Sequence, residues 1–405
     1  MKTCRICATP IAPFIDFGNM PIGNAFVTKD DFKTEYFYHM QVAVCRSCAT
    51  LQVIDVPDPD QMFHDHYAYY ASTSAFMSKH FKAMAEDIIA RFVSKESPFV
   101  VEIGSNDGIT LQHFANAGIP HLGVDPSSNV ADAAREKGIE MLVDFFNRDT
   151  AEQIVTKHGK ADVFIATNTM HHIEDINSVA AGVAKLLKPK GVMVQEDPYL
   201  GDMIEKTAFD QLYAEHMYIW SVTSLGNAFG RHGLEIFDIE TNDFHGGCMR
   251  YFLCHKGAYE PTPRLKAQQE KEKALGLAKP ETYDAFRRAC EQSRTKLVEL
   301  VRRLKSEGKR IVGYGATAKS ATIINYCGLG PDDIEFICDT TPIKQQKFSP
   351  GAHIPVVPPA EFSANYPDYA VLFAWNHFTE IDAKEQAFRK NGGKWIIPVR
   401  LVEVI

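Results

Sequence analysis

Two pairs of cysteines, Cys4-Arg5-Ile6-Cys7 and Cys45-Arg46-Ser47-Cys48, form Cys-x-x-Cys knuckles. Each knuckle can set two thiolates along one edge of a metal's tetrahedron, and Cys4, Cys7, Cys45 and Cys48 together close it. A closed set leaves no position for a substrate, so the expected ion is a structural Zn2+. It would let a small N-terminal segment fold around little core. A second reactive group is Tyr213-Ala214-Glu215-His216-Met217-Tyr218. Histidine titrates near working pH, so His216 is a candidate base, with Glu215 able to orient or polarise a neighbour.

A third group is Glu102-Ile103-Gly104-Ser105-Asn106-Asp107-Gly108. The apolar run Phe99–Ile103 ends in this loop, a helical pattern follows, and the next apolar run ends at Asp125. Strand, tight loop, helix, strand, acid is how a nucleoside is held. Glycine lets backbone approach the ligand, and the acid takes both ribose hydroxyls.

NAD, FAD and S-adenosylmethionine all carry such a nucleoside. A dinucleotide requires G-x-G-x-x-G, which rests a pyrophosphate on a helix N-terminus. The glycines here lack that spacing, and Glu102 and Asp107 would repel a pyrophosphate. They suit a sulfonium and an amino group, so the expected cofactor is S-adenosyl-L-methionine. Glu102, Gly104, Asn106, Asp107, Gly108 and Asp125 are then its contacts. Asp144 and Phe145, with Phe146 beside them, follow the third strand, where an adenine can be bonded and stacked. Asn168, within Thr167–Met170, follows the fourth strand, close to the departing methyl.

A fourth group has the opposite charge. Gly313-Tyr314-Gly315-Ala316-Thr317-Ala318-Lys319-Ser320 is a phosphate-type loop without the third glycine, and Lys319 opens its helix. Asp339, then Lys344, Gln345 and Lys347, follow the next strand. Lys319, Lys344 and Asn376 are read as contacts to a nucleotide-sugar diphosphate and base. His245-Gly246-Gly247 with Arg250 is read as a loop and a cation for the same diphosphate. A remnant fold that only packs against the centre is the alternative for this region.

The elements that must position these groups follow from pattern. The 405 residues suit two or three domains. The composition, 45% hydrophobic and 23% charged, is that of a globular protein. A net charge of -8 argues against nucleic acid as a partner. No signal peptide and no run long enough for a bilayer is visible. Nine cysteines, an odd number, fit a reducing, cytoplasmic setting. Strands are expected at Phe99–Ile103, Leu122–Asp125, Met141–Asp144, Val163–Thr167, Val192–Glu196, Leu234–Ile239 and Met249–His255. Helices are expected at Lys79–Phe92, Ile109–Ala117, Val130–Lys137, Ile176–Leu187 and Val222–His232. Such alternation predicts a doubly wound α/β sheet, with the later strands antiparallel at its edge. No short repeat stands out. The organisation is then a zinc module over 1–75, a cofactor domain over 76–260, a helical linker over 261–307 and a second Rossmann-like domain over 308–405. Nothing in it demands an oligomer.

The paired knuckles, Glu102–Gly108, Tyr213-Ala214-Glu215-His216, His245-Gly246-Gly247-Cys248-Met249-Arg250 and Gly313–Lys319 occur in one order along the chain. In this the whole chain resembles the C-methyltransferases of nucleotide-linked 4-keto-deoxysugars. The resemblance implies a zinc module, a central Rossmann-like class I methyltransferase domain and a C-terminal Rossmann-like domain. It implies methylation of a nucleotide-linked deoxysugar, commonly at C3 of a dTDP sugar. It also implies that His216 is the base, that Tyr213 and Glu215 line the site, and that His172 and Tyr67 contribute. By residue type alone, His171 competes with His172, and Tyr69 and Tyr70 with Tyr67. Cys248 stands where the family usually has serine. Other readings are an NAD-dependent sugar-nucleotide oxidoreductase using the Gly313 loop, an O- or N-methyltransferase of a sugar, and a non-enzymatic zinc module. The residues choose neither dTDP over GDP, nor C3 over C5.

Overall fold

The computed structural model describes residues 2–57, 71–73, 75–242, 246–399 and 402–405. Tyr67 and His245 lie outside the described residues. Three sheets organise the rest. The first is β1 (Pro13–Pro21), β2 (Phe37–Val44), β3 (Leu51–Val53) and β9 (Tyr218–Ile219), all antiparallel. Its last strand comes from far along the chain, so the N-terminal module is not closed by its own sequence.

The second sheet runs β10 (Leu234–Asn242), β11 (Cys248–His255), β8 (Leu187–Pro198), β7 (Ala161–Thr167), β4 (Val100–Ile103), β5 (His121–Val124), β6 (Met141–Leu142). Strands β4 to β8 are parallel, and β11 and β10 are antiparallel at the edge, as the pattern predicts. β4 is buried on both faces, which is why it reads as an unbroken apolar run. Val101 and Ile103 enter one hydrophobic core with the N-terminal sheet, and Val100 enters the other with Phe81, Phe114 and Phe252. Chain order reverses between β4 and β7, and this is the switch point where such sheets bind ligands.

The third sheet runs β14 (Val356–Val357), β13 (Ile337–Cys338), β12 (Ile311–Tyr314), β15 (Tyr369–Leu372), β16 (Lys394–Ile397) and β17 (Glu403–Val404), with only β17 antiparallel.

Two details depart from the sequence reading. A helix, Arg148–His158, stands where none is expected. Its signal is local: the Asn147 side chain accepts from the amides of Asp149 and Thr150, and Gly159 ends it at φ 84°. The knuckles also hold a short repeat, Cys-x-x-Cys-Ala-Thr. Ala8 and Ala49 both take left-handed backbone, φ 60° and 59°. Cys4 and Cys45 donate their amides to Thr9 and Thr50 at 2.8 and 2.9 Å.

The segment 261–307 is two helices, Pro263–Leu275 and Pro280–Ser306. Both are packed. Tyr283, Phe286, Cys290, Leu297 and Val301 are buried on one stripe, and Tyr283 meets Phe14 of β1 at 5.2 Å. Buried Glu272 accepts the amides of Val222 and Thr223 at 2.7 and 2.9 Å, capping the next central helix.

Candidate active site

A cleft of ≈ 1630 Å³ lies over the C-terminal ends of β4 to β7, walled by all three sheet-bearing units. The central loops supply Glu102, Gly104, Asn106, Asp125, Asp144, Phe145 and Asn168. The N-terminal module supplies Asn24 and Phe26, and the C-terminal unit supplies Lys319, Lys344 and Asn376. His171, His172, Tyr213, Glu215 and His216 lie between them.

On the central side, Glu102 is fully buried, and burial raises its carboxyl to about 8. Its Oε2 has no hydrogen-bond partner, and neither has the Asn168 Oδ1. Orphaned buried acceptors are costly and point to a donor-bearing ligand. An ammonium would satisfy both, which fits S-adenosylmethionine's amino group. Asn106 and Asn168 take left-handed backbone, φ 50° and 51°, a conformation seen more often at functional loops. Asp125 braces the first loop, accepting the amides of Asn106 at 3.0 Å and Ser127 at 2.9 Å, while still facing the cleft. Phe145 is 49% exposed beside exposed Asp144, open for a ring to stack on. Phe146 is instead buried against Phe164 at 4.9 Å.

Two loop residues are placed differently from expectation. Asp107 does not line the cleft. Its carboxylate turns to Ser72 and to Lys137, whose Nζ is 3.2 Å away. Gly108 is needed for packing, since a Cβ there would sit 2.0 Å from the Ile139 Cδ1 and its φ is +77°. At Gly104 a Cβ would lie 2.3 Å from the Thr169 Oγ1, so this glycine lets the loops after β4 and β7 touch.

The segment carrying His216 is gripped from every side. Trp375 donates its Nε1 to Asp210 at 2.7 Å, and Thr322 donates its hydroxyl to the Leu212 carbonyl at 2.8 Å. The Val53 amide donates to the Met217 carbonyl at 2.9 Å, and β9 follows. His216 Nδ1 lies 2.8 Å from the Gln211 carbonyl, which only accepts, so Nδ1 carries the proton. Nε2 is then the basic atom, in contact with the Tyr213 hydroxyl. Burial, with His171, His172 and Lys319 nearby, holds the imidazole far below its ordinary value and hence neutral. His172 sits 5.2 Å from His216, and His171 sits edge-on to it at 4.3 Å. Glu215 accepts from the Asn24 Nδ2 at 2.8 Å, and burial raises its carboxyl.

Lys319 opens the helix Ala318–Cys327, which Thr317 caps. Burial lowers its ammonium and Asp210 opposes that shift. The Lys344 Nζ donates to the Ala316 carbonyl at 2.8 Å and lies 5.1 Å from the Phe26 ring centre. Arg250 is a correction. Its guanidinium is spent on Glu196 at 2.7 Å and Glu240 at 3.2 Å, away from the cleft, so it is not placed to meet a diphosphate. Asn24 and Phe26 enlarge the set beyond the expected residues, and His171 lines the cleft together with its competitor His172. No spacing in the sequence ties Asn24 to Glu215.

The four knuckle sulfurs cluster, with Cys4–Cys48 at 3.5 Å and Cys7–Cys45 at 3.4 Å. Zinc–sulfur bonds of about 2.3 Å give tetrahedral edges near 3.8 Å, so these residues fit a closed zinc site. No helix among the described residues is long and apolar enough to cross a membrane.

Comparison with known proteins gives three consecutive family matches. Residues 4–63 match a zinc binding domain, 76–239 a "Methyltransferase domain" and 243–400 a "C-methyltransferase C-terminal domain". The C-methyltransferase NovU of Streptomyces niveus is 36% identical over 405 residues, 99% of this chain and 96% of its own length. A ubiquinone biosynthesis O-methyltransferase of Rhodopseudomonas palustris is 30% identical over 98 residues, 24% of this chain and 37% of that one. A solved methyltransferase from Anabaena variabilis aligns with 43% of this chain and 84% of its own, at 17% identity and a TM-score of 0.35.

Proposed function

Because this chain belongs to the S-adenosylmethionine-dependent C-methyltransferases, we propose that it methylates a nucleotide-linked 4-keto-deoxysugar at C3 through an enolate. The observation that carries this is the position of His216, whose Nε2 meets Tyr213 in a cleft that Glu215, the acid-lined loops, buried Lys319 and half-buried Lys344 also line. A carbon nucleophile needs a base to remove its C–H proton, and the relative 36% identical over the whole chain is a C-methyltransferase.

S-adenosylmethionine, when bound, supplies an electrophilic methyl whose bonding pair stays on sulfur. Glu102 and Asn168 hold its amino group, Asp125 its ribose and Phe145 its adenine. His216 Nε2 takes the proton beside the ketone, the C–H pair becomes the C=C bond of the enolate, and the carbonyl π pair moves to the ketone oxygen. Tyr213 donates to the charge that develops on that oxygen. Glu215, held by Asn24, orients the sugar. Lys319, Lys344 and Asn376 receive the diphosphate side. Tyr67 and His245 belong to this reading by sequence alone.

The test is turnover of a dTDP-linked 4-keto-6-deoxyhexose with 13C-methyl donor. The expected product carries the label as C–CH3 at C3 by NMR. An O-methyl signal, or no transfer to either dTDP or GDP sugars, overturns the proposal.

A further inference from the structure

Directly behind His216 is a pair that the reaction above does not use. His171 Nδ1 lies 2.6 Å from Asp197 Oδ1, and the two are 2% and 0% exposed. The other carboxylate oxygen accepts from the Gln195 Nε2 at 2.7 Å. Asp197 sits near the end of β8 and His171 just after β7, neighbouring parallel strands, so the pair spans the sheet beside the cleft. The His171 ring stands at 80° to the His216 ring, 4.3 Å away, and at 78° to the His172 ring, 4.1 Å away.

We propose that Asp197 and His171 are positioning residues for the base, with Asp197 fixing the tautomer of His171 and His171 fixing the orientation of His216. The inference rests on the reading of His216 as base. Burial and neighbouring Glu196 push the Asp197 carboxyl up, and the Gln195 amide on its other oxygen opposes that shift; as a carboxylate Asp197 accepts only, which puts the His171 proton on Nδ1 and leaves Nε2 as an acceptor. The edge-to-face contact leaves His216 little freedom to turn, so its Nδ1 stays on the Gln211 carbonyl and its Nε2 stays aimed at the cleft. When His216 takes a proton it becomes a cation among His172, Lys319 and His171, so its ring must be held with Nε2 toward the cleft for the proton to arrive there. Glu196 and Cys248 also face Asp197, but neither bonds His171. The same logic of a carboxylate that sets an imidazole's tautomer operates where a histidine serves as general base.

The test uses full-length protein with Asp197→Asn. An amide can donate to Nδ1 and flip the His171 tautomer. The expected result is a kcat for the 4-keto sugar nucleotide lower by about 100-fold, within what a positioned acid–base group contributes. KM, S-adenosylhomocysteine affinity and zinc content should stay within about twofold. Asp197→Glu should recover at least tenfold of the lost kcat. Long-range 15N–1H spectra should show the Nδ1–H tautomer of His171 in wild type and its loss in D197N. Wild-type kcat in D197N, or the opposite tautomer in wild type, overturns the proposal. So does a kcat loss matched by equal losses in S-adenosylhomocysteine binding and thermal transition. If D197N does not fold, H171Q carries the same kinetic test. If wild type does not turn over any 4-keto sugar, the proposed function fails, while the tautomer measurement still decides the pairing.

Discussion

The Val53 amide donates to the Met217 carbonyl at 2.9 Å, which ties the strand after the second cysteine knuckle to the residue following His216. The same strand reaches the metal site, because the Gln52 Nε2 donates to the Cys4 Sγ at 3.1 Å. Arg5, inside the first knuckle, donates to the carbonyls of Val53 and Ile54 at 2.6 and 2.7 Å. The N-terminal module is thus part of the frame that holds His216.

From this link, Cys48→Ser should lose both metal and turnover. Elemental analysis should find about one zinc per wild-type chain and much less in the variant. A variant lacking zinc with full methyl transfer would break the connection between β3, β9 and His216.

Removal of the base should separate binding from chemistry. His216→Ala is expected to lower kcat by about 100-fold or more, with S-adenosylhomocysteine affinity within about twofold. Calorimetric titration and turnover assays check this. Undiminished turnover would exclude His216 as the base.

Glu102 sets a pH dependence. Its folded carboxyl is raised to about 8 from an unfolded value near 4.5. The folded apo-protein therefore holds a proton that the unfolded chain releases. The stability this confers is present below about 4.5 and is lost as pH rises to about 8. Glu102→Gln should remove that loss, so its melting temperature should gain on wild type between pH 5 and pH 8.5. The ammonium ligand selects the ionised form. Wild-type affinity for S-adenosylhomocysteine should accordingly rise with pH through this range, and the variant's should not. Parallel titration curves would contradict the placement of the amino group.

Asn24 tests the N-terminal wall. Asn24→Ala leaves the Glu215 Oε1 without its 2.8 Å donor inside a buried site. The sugar's KM should rise, or kcat fall, by about tenfold, at constant zinc content and cofactor affinity. Kinetics indistinguishable from wild type would remove Asn24 from the site.

Much of the architecture was legible because it is written locally. The unbroken apolar run at Val100–Ile103 marked a buried parallel strand. The acids ending the next strands marked the ligand edge, and the doubled knuckle marked the metal. The helix at Arg148–His158 was missed although its cap, Asn147, and its stop, Gly159, were present. The contributions of Asp107 and Arg250 were misplaced for one reason. A charge in a loop says that it needs a partner, but not which side the partner is on. Lys137 claimed one, and Glu196 with Glu240 the other.

By itself the sequence determined the kinds of chemistry available: four thiolates for a metal, acids for a cationic cofactor, lysines for an anion and a histidine with neighbours for a proton. Residue type and short spacing suffice for these, since each depends on bonds within a few residues. Tertiary structure alone decided which groups meet. Asn24 reaches Glu215, Val53 holds Met217, and Asp197 meets His171 beside His216. These pairings join residues far apart in the chain, and only the pairing of distant strands within a sheet and the packing of the N-terminal module on the centre bring them within hydrogen-bond distance.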